Sequence, residues 1–124
     1  MQSGATIDAS AVNSGNGGQV TLWAERHTTF AGRIAARGGA LGGDGGRVET
    51  SGRQTLIAVG EVDASAPAGN GGSWLLDPNN ITIPASGSDT NISGNPNFFS
   101  TADGAIITVA TIKAALDAGT SVTI

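Results

Sequence analysis

Three segments of this chain repeat one another at a fixed period, and that periodicity narrows the possible folds more than any other feature. Ala5-Thr6-Ile7-Asp8-Ala9-Ser10, Gly32-Arg33-Ile34-Ala35-Ala36-Arg37 and Gly60-Glu61-Val62-Asp63-Ala64-Ser65 align so that Ile7, Ile34 and Val62 share one place, at spacings of 27 and 28 residues. A glycine pair follows each segment: Gly17-Gly18, Gly45-Gly46 and Gly71-Gly72. After each pair comes a second apolar segment, Gln19 to Ala24, Arg47 to Gly52 and Ser73 to Pro78. A third, Thr28-Thr29-Phe30-Ala31 and Gln54 to Val59, completes two of the units.

Each unit thus offers three strand-length pieces bounded by Gly, Asn, Asp and Ser, which is one coil of a three-faced solenoid. A meander or sandwich also uses short strands but does not require equivalent positions to return at a fixed period. Stacking turns every place into a column, with alternate side chains facing inward. On the first face Ile7/Ile34/Val62 stack inside with Ala9/Ala36/Ala64 beside them. On the second face Val20/Val48/Trp74 and Leu22/Thr50/Leu76 stack, with Thr21 and Glu49 pointing out. Trp74 in a valine column needs extra room and predicts a widening there. The glycine pairs are expected at sharp corners with φ > 0, which glycine adopts without a Cβ penalty.

Composition supports ordered strands and removes several function classes. The chain has 20 Gly and only 13% charged residues, yet 39% hydrophobic ones, against the profile of a disordered chain. Glycine does not recur every third residue, so collagen is excluded. A net charge of −4, with six Lys/Arg among ten Asp/Glu, argues against nucleic acid or an anionic membrane as partner. No Cys is present, which excludes disulfide staples and Cys-ligated metal. No run approaches the roughly 20 apolar residues of a membrane span, and the start has no signal-peptide pattern. The chain opens inside a repeat and closes on Thr120-Ser121-Val122-Thr123-Ile124, which reads as a piece excised from a longer protein with Met1 added.

The pattern divides the chain into regular coils over 1–78 and a less regular part over 79–124. In the second part Asn79 to Ile83 reads as a strand stopped by Pro84, and 85–103 as a polar loop anchored by Phe98-Phe99. A strand over Ala105 to Val109 follows. A short helix over about 111–118 then has Thr111 as N-cap, an apolar stripe of Ile112, Ala115 and Leu116, and Gly119 as its stop. Such a helix cannot stand alone and is expected to cover the solenoid edge before a final strand.

Gly42-Gly43-Asp44-Gly45-Gly46-Arg47-Val48-Glu49-Thr50-Ser51-Gly52, then Val62-Asp63-Ala64-Ser65-Ala66, then Gly72-Ser73-Trp74-Leu75-Leu76-Asp77-Pro78-Asn79-Asn80-Ile81-Thr82-Ile83 resemble the large exoproteins of bacterial two-partner secretion, the filamentous-haemagglutinin-like and high-molecular-weight adhesins. The Trp-Leu-Leu-Asp-Pro block carries most of the specificity, and Thr111 to Ile124 resembles the continuation past it. The likeness spans essentially the whole chain. It implies an all-β, right-handed parallel β-helix with three strands per coil of about 27 residues and one short helix near the C-terminus. It also implies a secreted, cell-surface location, export through an outer-membrane transporter, and roles in adhesion, biofilm formation or contact-dependent competition. Asn95-Pro96-Asn97-Phe98 resembles a motif of that family's secretion-signal domain, but its surroundings do not. The family has no shared binding motif, so no binding residue is carried over.

Three functions follow: a structural, adhesive stalk segment; a carbohydrate- or receptor-binding segment; and a glycan-cleaving enzyme. The last needs Asp8 and Asp63 facing a common groove, but Ala35 stands between them in the column, which puts them about 10 Å apart. Solvated aspartates beside turns are the plainer reading, and no enzyme is expected. His27 has Glu25 nearby but no nucleophile motif or metal-ligand partners. Gly42-Gly43-Asp44-Gly45-Gly46 suggests a calcium repeat, yet the equivalent places hold Asn16 and Asn70, so no metal or cofactor is expected. Arg33, Arg37, Arg47 and Arg53 form either a loose basic patch for an acidic glycan or a salt-bridged face with Asp44, Glu49 and Glu61. Trp23 points outward and either stacks on a sugar ring or packs under a neighbouring corner. The candidate ligand-binding residues are therefore Trp23, Arg33 and Arg37, and the candidate glycosylation sites are Asn91 and Asn80, in Asn-Ile-Ser and Asn-Ile-Thr. Expected partners are a glycan or protein on a host or neighbouring cell, and a second copy of this piece end to end, unless residues 85–119 cap one end.

Overall fold

The computed structural model describes residues 1–78, 81–82, 92–93, 99–100, 105–106 and 108–123. They form a mostly β structure built on three parallel sheets, with one short helix. In the first sheet β1 (Thr6–Asp8), β4 (Arg33–Ala35) and β7 (Glu61–Asp63) lie in that order. In the second, β2 (Gln19–Ala24), β5 (Arg47–Gly52), β8 (Ser73–Pro78) and β13 (Ser121–Thr123) follow one another. The third runs β3 (His27–Phe30), β6 (Thr55–Ala58), β12 (Ala105–Ile106) and β9 (Ile81–Thr82). A separate antiparallel pair joins β10 (Ile92–Ser93) to β11 (Phe99–Ser100).

The strand register is the sequence repeat made physical. Ile7 pairs with Ile34 and Ile34 with Val62, while Val20, Val48, Trp74 and Val122 form one continuous column. Asp8, Ala35 and Asp63 also align as the spacing predicts. Inward members of all three sheets meet in one core, including Ile34, Val62, Val48, Leu76, Phe30 and Leu56.

Trp74 is fully buried and has a partner across the core. Its ring meets Phe30 edge-on, with centroids 6.2 Å apart and planes at 86°, a geometry favoured by the aromatic quadrupole. Phe30 belongs to the first unit and Trp74 to the third, and the residue paired with Phe30 between them is Ala58. The small Ala58 and Gly60 leave the space that the Phe30 ring fills; a Cβ at Gly60 would stand 2.6 Å from its Cζ. The indole N–H donates to the buried Thr50 hydroxyl at 3.1 Å, so the polar member of the next column is satisfied.

The glycine pairs serve a different purpose from the expected one. None of the six has positive φ; that conformation falls instead on Gly4, Gly15, Gly42, Gly43 and Gly119. At five of the six, all but Gly18, the residue is glycine because another backbone passes too close for a side chain. A Cβ would lie 1.8 Å from the Ala64 carbonyl oxygen at Gly45, and 2.0 Å from that of Gly18 at Gly46. The same corner is closed three times by one hydrogen bond, from the N–H of Gly18, Gly46 and Gly72 to the carbonyls of Ala9, Ala36 and Ala64, each at 2.7 Å.

After Pro78 the expected loop over 85–103 lies almost wholly outside the described residues, as do Asn79, Asn80, Ile83 and Phe98. Of the strand expected over 105–109, the described part is β12, and Val109 already begins α1 (Val109–Asp117). The helix starts two residues earlier than read, because the Thr108 carbonyl accepts the first intrahelical bond, from Ile112. Thr111 is therefore inside the helix and not its cap. The stop at Gly119 is as read: Gly119, at φ 79°, donates to Leu116, and Thr120 donates to Ala115, closing a Schellman motif. Ala115 is buried and Ile112 packs partly on the core, whereas Leu116 turns outward and is 52% exposed.

The helix packs against β7, the end strand of the first sheet. In the inner units the N–H groups of Ala9 and Ala36 donate to the carbonyls of Ala35 and Asp63 in the following strand. Among the described residues no further first-sheet strand follows β7, and the Ala64 N–H donates instead to the buried Thr120 hydroxyl at 2.7 Å.

Candidate functional site

The first sheet brings together Asp8, Arg33, Glu61 and Asp63, with Arg37 just beyond it. Arg33 on β4 lies in register with Glu61 on β7, and its guanidinium bonds to Glu61 and, at 3.3 Å, to Asp63 Oδ2. Arg37, just beyond β4, places its Nε 3.8 Å from the same Asp63 oxygen. The other Asp63 oxygen accepts from the Ser65 N–H at 3.1 Å and from its hydroxyl at 2.7 Å. Asp63 is 9% exposed, so it is a buried anchor with both oxygens engaged.

Asp8 repeats this role at the other end of the column. Its Oδ1 accepts from the Ser10 N–H at 2.9 Å. The Ser10 hydroxyl and N–H hold the Asp8 carboxyl below its ordinary pKa, and the Arg37 and Arg33 charges act in the same direction. The two aspartates therefore each fasten the turn that follows their strand, two residues on. The fastened Asp8 carboxylate is a poor general acid or base, since a proton gained there costs turn hydrogen bonds.

The four arginines do not form one patch. Arg33 and Arg37 share Asp63, but Arg47 opens β5 in the second sheet and Arg53 follows its end. Trp23 stands near the end of β2, outward and 61% exposed, whereas Arg37 precedes the corner that leads into β5. An aromatic and arginine strip joining Trp23 to Arg37 is thus not what the sheets produce. His27 is exposed at the start of β3. Asn80 and Asn91 lie outside the described residues.

Two features were hard to see in the sequence. Asn16, Asp44 and Asn70 form a bonded ladder: the Asp44 N–H donates to Asn16 Oδ1 at 2.8 Å, and Asp44 Oδ1 accepts from the Asn70 N–H at 2.8 Å and its Nδ2 at 3.2 Å. The glycine-rich segment that suggests calcium thus uses its one carboxylate to tie units together. Among the described residues, no group of three or more His, Asp or Glu side chains is placed to hold a metal. The second feature is a shallow polar groove of about 450 Å³ along the glycine pairs, edged by Asn16, Gln19, Arg47, Ser73 and Ser121. The spacing of the glycines was the available signal, but only their stacking shows that they open a groove.

No helix among the described residues is long and apolar enough to cross a membrane. No family model and no curated protein matches the chain.

Proposed function

We propose that this chain is a segment of right-handed parallel β-helix that serves as stiff shaft in a secreted bacterial surface adhesin, holding other parts of the fibre away from the cell. The observation that carries this reading is the register of equivalent strands 26 to 28 residues apart in the regular units, in sheets that share one core. In such a stack each unit's backbone bonds to the next, so stiffness grows with the number of units and no single surface site is required. The fastening of Asp8, Asp63 and Asp44 into turns and ladders fits a structural rather than an enzymatic role. The Trp74 to Ile83 block adds the likeness to two-partner exoproteins, and with it export through an outer-membrane transporter. No cofactor and no nucleic acid enters this function.

A second reading, recognition of a cell-surface glycan or protein, is favoured by one observation: the 61% exposed Trp23 offers an aromatic face to a sugar ring. Binding of the purified chain to a glycan and extracellular-matrix array separates the two. Saturable binding that is lost in Trp23→Ala or Arg37→Ala makes this a recognition segment. A blank array from folded protein supports the shaft.

A further inference from the structure

The tetrapeptide Gly-Asn-Gly-Gly occurs twice, as Gly15-Asn16-Gly17-Gly18 and Gly69-Asn70-Gly71-Gly72, and these hold the two Asn-Gly pairs of the chain. Asn-Gly pairs deamidate readily because a glycine N–H, with no side chain beside it, reaches the asparagine side-chain carbonyl easily. Locally the two sites are the same. Any difference in their reactivity must therefore come from what the fold does to each.

Both sites belong to the ladder through Asp44, but on opposite sides of it. At the first, the attacking group is engaged: the Gly17 N–H donates to the Asp44 carbonyl at 2.8 Å. Asn16 Oδ1 accepts the Asp44 N–H at 2.8 Å, so both reacting groups are fixed to one residue of the next unit. The middle unit repeats the backbone bond, with the Gly45 N–H donating to the Asn70 carbonyl at 2.8 Å. At the third unit the pattern stops. Ser73 is in register with Ser121, so the place of Asn70 in the following unit falls to Ala118. Ala118 is held at the end of α1, its N–H donating to the Ala114 carbonyl at 3.1 Å, and among the described residues the Gly71 N–H has no acceptor. Asn70 and Gly71 are both exposed. The Asn70 side chain makes one contact, from Nδ2 to Asp44 Oδ1 at 3.2 Å, long for an N–H on a carboxylate. The difference between the sites arises between units inside the chain and does not depend on its ends.

We infer that Asn70 is a site of spontaneous deamidation in the folded protein, and that Asn16 is shielded from the same reaction. The Gly71 nitrogen gives up its proton to water and attacks Cγ of Asn70, closing a five-membered succinimide. The Cγ–Nδ2 bond breaks and the side-chain nitrogen leaves as ammonia, taking up a proton. Water then opens the ring at either carbonyl, giving aspartate, or isoaspartate with the main chain rerouted through Cγ. In sum one water is consumed and one ammonia released, with no oxidation or reduction. Closure at Asn70 turns its carbonyl away from Gly45, whereas closure at Asn16 must first free the attacking N–H itself. Either product sets a second carboxylate beside Asp44 and removes the Nδ2 donor. Isoaspartate also adds a methylene to the main chain just before β8, the strand that carries the buried Trp74.

The two identical tetrapeptides make the chain its own control. The folded chain is held at mildly alkaline pH, and peptide mapping by mass spectrometry follows each asparagine, with isoaspartate methyltransferase labelling to score the rearranged product. Asn70 is expected to convert about two- to tenfold faster than Asn16, the factor set by one backbone hydrogen bond on the attacking N–H. In urea, where that bond is gone, the two rates should converge. Asn70→Asp, the simpler product, should lower the urea midpoint, and more so at low salt, because the new carboxylate repels Asp44. Equal rates in the folded chain, or faster conversion of Asn16, overturn the inference. So does conversion of Asn70 that begins only once circular dichroism shows unfolding. An unchanged midpoint for Asn70→Asp overturns the effect on the ladder.

Discussion

Replacing Trp74 by alanine tests whether the core is held by contacts that skip a unit. The indole is fully buried, packs edge-on to Phe30 at 6.2 Å and donates to the buried Thr50 hydroxyl. Removing a buried Trp side chain costs about 3–5 kcal/mol through lost transfer energy and the cavity left behind. About 0.5–1.5 kcal/mol of that belongs to the aromatic pair, and the Thr50 hydroxyl, shut away from water, loses its donor. Domains of this size have total stabilities of roughly 5–15 kcal/mol, so Trp74→Ala should bring the chain close to its unfolding threshold. Urea unfolding followed by circular dichroism is the assay, with a lower midpoint and an unchanged slope as the expected result. A double-mutant cycle with Phe30→Leu isolates the ring pair, and its coupling should be about 0.5–1.5 kcal/mol. A loss below about 1 kcal/mol for Trp74→Ala, or a coupling of zero, would refute the claim that these rings tie the first unit to the third.

Other perturbations probe the remaining features. Ile34→Ala, at the centre of the first-sheet column, should cost about 2–5 kcal/mol in the same urea assay. Gly45→Ala should destabilise by about 3 kcal/mol, because its Cβ would meet a carbonyl oxygen at 1.8 Å, whereas Gly18→Ala, whose nearest contacts are at 3.1 Å, should cost clearly less; equal midpoints would contradict the close-approach explanation. Thr120→Val removes the acceptor of the Ala64 N–H and should cost about 1–3 kcal/mol, with faster amide exchange at Ala64 as its local sign. The lowered Asp8 pKa means that its contribution to stability is present above the ordinary carboxylate value and is lost as pH falls below it, through the lower folded-state value. NMR titration should show that Ser10→Ala raises the Asp8 midpoint more than Arg37→Gln does, and the opposite order would reassign the cause to the arginine.

The columns were legible because a parallel stack returns each position to the same environment, so Ile7, Ile34 and Val62 advertise themselves by spacing alone. The Asp8–Ala35–Asp63 alignment was readable for the same reason. What spacing could not show was contact across the core. Trp74 looked oversized against Val20 and Val48 because its partner, Phe30, lies in another sheet and two units away. The glycine pairs were visible but their cause was misread: a strand pattern reports local conformation, whereas the clash at Gly45 comes from Ala64 in the next unit. The helix start was displaced for a related reason. Thr111 has the chemistry of a cap, but the backbone bond from Ile112 to Thr108 decides where the turn begins. The opposed readings of the arginines depended on side-chain reach, and only the structure pairs Arg33 and Arg37 with Asp63 while leaving Arg47 and Arg53 elsewhere.

The constant register has a kinetic consequence. In the regular units every strand finds its partner 26 to 28 residues along the chain, so adding a unit closes a loop of much the same length each time. Closure entropy rises only with the logarithm of loop length, so this cost is nearly identical at every step and never accumulates into one large barrier. Once two units have met, the next can add to an existing edge without waiting for distant parts of the sequence. Such a chain folds like a zipper, in which order spreads between nearest neighbours. Growth in the first sheet then ends where α1, with Thr120, takes the place of another strand.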